Sequence, residues 1–199
     1  MFATAWAAGP FNDQPASPRS LPGDNLPPFG MLDEQGKLIP TPSIPAELLK
    51  RDANTPPEST APGPDLSLAM EAARAAVDAC MKSGYRVGAT VVDSVGDARA
   101  MLTADGSDGS HVFVAQRKAI VAVTFKMTSS QAYAALLADP SLLPKVKPNM
   151  FVEGGAVPIL SKGQLLGAIG VSGAAGAVIG KQDEICAQAA LDKIRSKLK

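Results

Sequence analysis

Thirteen of the chain's 17 prolines fall within its first 64 residues, because beyond Pro64 only Pro140, Pro144, Pro148 and Pro158 remain. Proline removes a backbone donor and clashes with the preceding helical turn, so this density forbids a regular core element across residues 1–64. The stretch is expected to be a Pro-rich extended arm. One short helix is expected inside it, over Ile44 to Arg51, where Pro45 can open the first turn ahead of Leu48 and Leu49. Trp6, Phe11, Phe29, Met31, Leu38 and Ile39 give the arm enough apolar area to lie on its own domain or on a neighbouring subunit. The alternative is a flexible linker.

Residues 65–199 have the length of one ordinary domain. After Pro64 the composition turns Ala-rich and periodic: Leu68, Ala72, Ala76 and Cys80 recur at steps of four, with Ala69, Ala73 and Val77 beside them. That spacing predicts an amphipathic helix, with Asp65 or Ser67 as N-cap and Gly84 just past its end. Arg86 to Val92 and Ala98 to Leu102 read as two strands around the Ser94-Val95-Gly96-Asp97 turn, a hairpin. Ser110 to about Thr124 and Ser129 to Ala138 read as helices, and Pro140 to Pro148 as a loop. A second hairpin follows, Ala156 to Leu160 and Gln164 to Ser172 turning at Lys162-Gly163. The last helix starts at Lys181, with Asp183 and Glu184 in its first turn and Lys193, Arg195, Lys197 and Lys199 toward its end, matching the helix dipole. Hairpins pair strands antiparallel, so this order excludes a doubly wound parallel sheet. The expected class is α/β of the α+β type, an antiparallel sheet with helices on its faces.

Lys plus Arg equals Asp plus Glu at 19 each, and aromatic residues make up 5%, so neither an electrostatic field nor a stacking platform for nucleic acid is present. No stretch approaches the roughly 18 to 20 continuous apolar residues of a membrane span. Cys80 and Cys186 have no ligand-like spacing, which argues against a structural zinc site. Their default reading is two small buried hydrophobes; the alternative is a disulfide between the first and last helices of the domain, which requires an oxidising compartment. The opening Met-Phe-Ala-Thr-Ala-Trp-Ala-Ala lacks a basic n-region and is short for an h-region, so it is not expected to be an intact signal peptide, though it suits the remnant of one. The Pro-rich start fits a periplasmic or secreted protein, with the cytoplasm as the alternative.

The single histidine, His111, follows Ala104-Asp-Gly-Ser-Asp-Gly-Ser110 and is expected in the first turn of the second helix. The positive end of the helix dipole favours a neutral imidazole there, the form a metal needs. Unpaired N–H groups around Gly109 to Phe113 would offer an anion site for a carboxylate. Small residues at Ala115, Ala119 and Ala122 admit a flat ligand or another backbone, while Arg117 and Lys118 are placed to meet carboxylates or simply to face solvent. Gly170-Val-Ser-Gly-Ala174 resembles a nucleophile elbow, but the histidine lies upstream, which argues against a serine triad. The nearby glycines do not form a dinucleotide fingerprint. Asp93, Asp97, Asp105 and Asp108 read as turn residues, with a carboxylate pair or hard-cation site as the alternative.

Three stretches, VVDSVGDARAML, DGSDGSHVFVAQRKAIVAVTF and EGGAVPILSKGQLLGAIGVSGAAG, with DEICAQAAL in the last helix, resemble the GlcG/HbpS family (haem-degrading domain, formerly DUF336) over about residues 65–199. The resemblance implies a profilin-like antiparallel sheet of about five strands flanked by helices, assembling into dimers or larger homo-oligomers. It implies binding of haem or a related tetrapyrrole, with degradation in some members. His111 matches the family's polar position at the helix start and would be the axial ligand. Arg117 and Lys118, in the family's RKA, would hold propionates, and Gly154-Gly155 would shape the pocket wall. Val121 departs from the family, many of whose members have threonine there. Two other functions are compatible with the chain: a non-enzymatic oligomeric accessory or sensor partner, and an enzyme acting on a small organic acid. No residue stands out as a catalytic acid or base.

Overall fold

The computed structural model describes residues 35–37 and 61–198. The chain divides into two compact units, Met1–Thr55 and Pro56–Lys199. In the first, the described residues form a turn around Gly36, with φ 76°. The helix expected over Ile44 to Arg51 and the apolar arm residues lie outside the described residues.

The second unit begins with α1 (Leu66–Lys82), whose N-cap Asp65 accepts from Leu68 N. Then come β1 (Gly88–Asp93), β2 (Ala98–Thr103), α2 (His111–Phe125) and α3 (Ser129–Ala138). After a 3₁₀ helix at Pro140–Lys145, β3 (Ala156–Ser161), β4 (Gln164–Ser172) and α4 (Lys181–Ile194) complete it. The antiparallel sheet flanked by helices forms as expected, with four strands among the described residues in the order β2-β1-β4-β3. The segment expected to be a loop at Pro140 to Pro148 is partly helical, because Pro140 has the right φ to open a turn and Asp139 accepts from Ser141 N at its start.

Strand alternation splits the core into two layers. Ala89, Val91, Val157, Ile159, Ile169 and Val171 face the buried stripes of α1 and α4, whereas Val92, Ala156 and Ala168 face Ala119, Ala122 and Val123 of α2. Central β1 is therefore buried along its whole length. A Cβ at Gly170 would collide with the Ala115 carbonyl, so the small-residue stripe of α2 receives the backbone of β4. At the start of α2, buried Thr90 Oγ1 donates to the Val112 carbonyl at 2.7 Å, pinning the helix to β1.

The two cysteines are corrected from the default reading. Cys80 and Cys186, both buried, form a disulfide with Cα atoms 5.4 Å apart, because α1 and α4 pack side by side on one face of the sheet. The β1–β2 turn is closed by buried Asp93, which accepts from Val95 N and Asp97 N and pairs with Arg99 at 3.0 Å. Pro62 O accepts from Ser94 N at 2.9 Å, so the residues just ahead of α1 dock on this turn. Asp93 is thus a turn and ion-pair residue rather than a cation ligand. Among the described residues no group of three or more His, Cys, Asp or Glu side chains is placed to hold a metal ion, and no helix is long and apolar enough to cross a membrane.

Candidate functional site

His111 opens α2, as its position after the glycine-rich loop implied. Its side chain is half-buried, and its ring lies on Gly173 at the end of β4: a Cβ there would sit 3.0 Å from His111 Cδ2. The imidazole has no hydrogen-bond partner among the described residues. The anion cradle expected at this helix start is partly taken up by the chain itself. Asp108 accepts Ser110 N through its carboxylate and His111 N through its carbonyl, and Ser110 O accepts Phe113 N, so a local turn takes up the donors of Ser110, His111 and Phe113.

Arg117 and Lys118 part company, since adjacent helical residues point about 100° apart. Arg117 is exposed and donates to the Pro148 carbonyl at 2.8 Å. Lys118, two turns from His111, is turned inward and only 1% exposed. Its Nζ lies 2.8 Å from Glu153 Oε1 and 3.0 Å from Asp183 Oδ2, and 5.9 Å from the Phe151 ring centroid. The second Asp183 oxygen accepts Ala174 N at 2.9 Å. Burial pushes the Asp183 carboxyl above its ordinary value, while the Lys118 charge and the Ala174 N–H pull it back.

This cluster is built around Gly155. Its φ is +132°, and a Cβ would lie 2.7 Å from the Val171 carbonyl and 3.0 Å from both Lys118 Cδ and Asp183 Cβ, so only glycine fits. Gly154 crosses Gly180 in backbone contact. Glu184 then ties the parts together, accepting Ser130 Oγ at 2.7 Å and Gly155 N at 3.3 Å. A cavity of about 310 Å³ opens over Lys118, Glu153 and Asp183, walled by the Ser172–Gly176 segment. Beyond Glu153 and Ile179 lies a second, more apolar cavity of about 540 Å³ bordered by Tyr133, Phe151 and Val178. His111 lines neither cavity; Gly173 stands between its ring and the smaller one. The sequence reading missed Glu153 and Asp183.

A four-stranded antiparallel sheet with helices on both faces and a ligand-sized cavity at the end of its central strands define a small α/β domain of the α+β type. The chain belongs to the HbpS-like family, described as haem degrading protein HbpS-like, whose model matches residues 65–192. The solved structure of HbpS is 32% identical, with a TM-score of 0.61, covering 73% of this chain and 98% of that one. The Klebsiella pneumoniae protein ORFY, a DUF336 member, is 26% identical with a TM-score of 0.60, covering 72% of this chain and 98% of that one. A PduOC:heme complex shares the fold at 23% identity and a TM-score of 0.55, covering 65% of this chain and 94% of that one. A search of the curated proteins finds no match.

Proposed function

We propose that this protein binds haem or a related tetrapyrrole, with His111 as the axial ligand of the iron. The observation behind this reading is the imidazole itself: half-buried, seated on the Gly173 backbone, and without a hydrogen-bond partner among the described residues. A neutral imidazole nitrogen is a donor of the kind haem iron takes, so the residue fits the group its family is described as handling. Bound haem would supply iron able to react with oxygen or peroxide. The exposed Arg117 guanidinium is the basic group on α2 with room to meet a propionate, whereas Gly154-Gly155 lie against Gly180, Lys118 and Asp183 and are not part of this reading. Lys118 instead serves as the buried counter-ion of Glu153 and Asp183.

The same reading places the protein in an oxidising, extracytoplasmic setting, which the Cys80–Cys186 disulfide supports. It also includes assembly into a homo-oligomer, supported by the exposed apolar side chains of Tyr133, Leu137, Phe151, Val178, Ile179 and Ile185.

The test is a hemin titration of the purified full chain, followed by absorbance beside His111→Ala. A saturable Soret shift that weakens about tenfold or more in the variant is expected. Superimposable spectra would remove His111 as ligand, and no uptake by either protein would favour a non-enzymatic accessory role.

A further inference from the structure

The Lys118–Glu153–Asp183 cluster is not explained by His111 ligation, and the fold does not need it. Three charged groups from α2, the segment ahead of β3, and α4 converge at 2.8 and 3.0 Å around one ammonium. Well-packed apolar residues of similar size in such a position are generally as stable or more so. The cluster also sits at the floor of a cavity, and the walls above it are small: Ser172, Gly173, Ala174, Ala175 and Gly176. A ligand entering there meets backbone and charged heads, with Ile179 as the one bulky apolar side chain of the lining. At about 310 Å³ the space lies at the small end of ligand cavities.

The unspent hydrogen-bonding capacity of the cluster defines what would fit. Asp183 is satisfied on both oxygens, by Lys118 and by Ala174 N. Glu153 uses Oε1 for Lys118, and its other oxygen has no partner among the described residues; its side chain is 29% exposed. An ammonium has three donors, of which two are spent on carboxylates. What remains is one acceptor beside one donor. An anion would face two carboxylates, and a cation would compete with Lys118 for them. We infer that this cavity is a second ligand site, separate from His111, that takes a small neutral molecule presenting an N–H next to a C=O. That is the amide or lactam class: the N–H donates to the free Glu153 oxygen and the carbonyl accepts from Lys118 Nζ.

The experiment is a ¹H–¹⁵N NMR titration of the full-length protein, without haem, using 2-pyrrolidinone and acetamide as probes, and acetate and methylammonium as charged controls. The neutral probes should give saturable millimolar shifts centred on Gly173, Ala174 and Gly176, and the charged ones none. Glu153→Ala should weaken 2-pyrrolidinone binding about tenfold or more. Ala175→Leu, which narrows the exposed mouth without touching the cluster, should block it while leaving the melting temperature in place. Three results would each overturn the site: no saturable shift with either neutral probe, tighter binding of acetate than of acetamide, or full 2-pyrrolidinone binding by a folded Ala175→Leu protein. None of these readouts involves hemin, so failure here and failure of His111 ligation are separately visible.

Discussion

Replacing Cys80 and Cys186 together by alanine opens a ring closed across 106 residues. In the chain-entropy picture a cross-link removes from the unfolded state about 2.1 plus 1.5R ln n cal/mol/K, here about 16 cal/mol/K, or roughly 4.7 kcal/mol at 25 °C. The folded state loses little in return, because both positions are buried where alanine-rich α1 and α4 already pack and alanine fits that company. With an unfolding entropy of about 2.1 cal/mol/K per residue over roughly 140 residues, the loss corresponds to a fall of about 16 °C in Tm. Circular-dichroism melts of the oxidised protein, the same protein with reductant, and the double variant measure it directly. The denatured, unreduced protein should show no reactive thiol, and reduction should release two. Melting of variant and oxidised protein within about 3 °C of each other would refute the reasoning, since the unfolded chain would then gain nothing from being opened.

Two further perturbations probe the charged cluster. Burial raises the Asp183 carboxyl, so the folded state holds that proton more tightly than the unfolded one; stability from this group is greatest below the ordinary aspartate value and falls as pH rises toward the raised one. Urea midpoints of wild type and Asp183→Asn, followed upward from roughly pH 3.5, should therefore differ in slope as well as level, and parallel profiles would dismiss this account. Gly155→Ala forces a Cβ at φ +132° to within 2.7 Å of the Val171 carbonyl, and the combined strain and overpacking should cost roughly 3 kcal/mol. A thermal melt within a degree or two of wild type would show that β3 relaxes more easily than this geometry implies.

The secondary structure was legible because local signals agreed with one another. The four-residue steps in α1, the glycines in both hairpin turns and the charge gradient of α4 each specify an element without help from its neighbours. The cysteine pairing was not legible from spacing, since it depends on two helices 106 residues apart lying on the same face of the sheet. Lys118 is the instructive case. Beside Arg117 it reads as half of a solvent-facing basic pair, yet it stands three residues after Ala115 and four before Ala122, on the stripe that meets the sheet. That signal was present in the sequence. Glu153 and Asp183 carried no comparable signal, because each acquires its partner through the fold; Asp183 in particular satisfied a helix-dipole explanation by itself. His111 was placed correctly at its helix start, but the turn chemistry of Asp108 that closes off the neighbouring donors needed coordinates to be seen.

The cross-link between α1 and α4 also sets how this domain responds to being pulled. Under tension applied at the arm and at the far terminus, only the residues outside the Cys80–Cys186 span can be drawn out. The 105-residue segment between them, about 350 Å of contour length when fully extended, cannot be drawn out along the line of force until the bond is reduced. A thiol reductant therefore acts on this protein as a release for length, and the sheet, the histidine and the charged cluster all lie on the sheltered side of it.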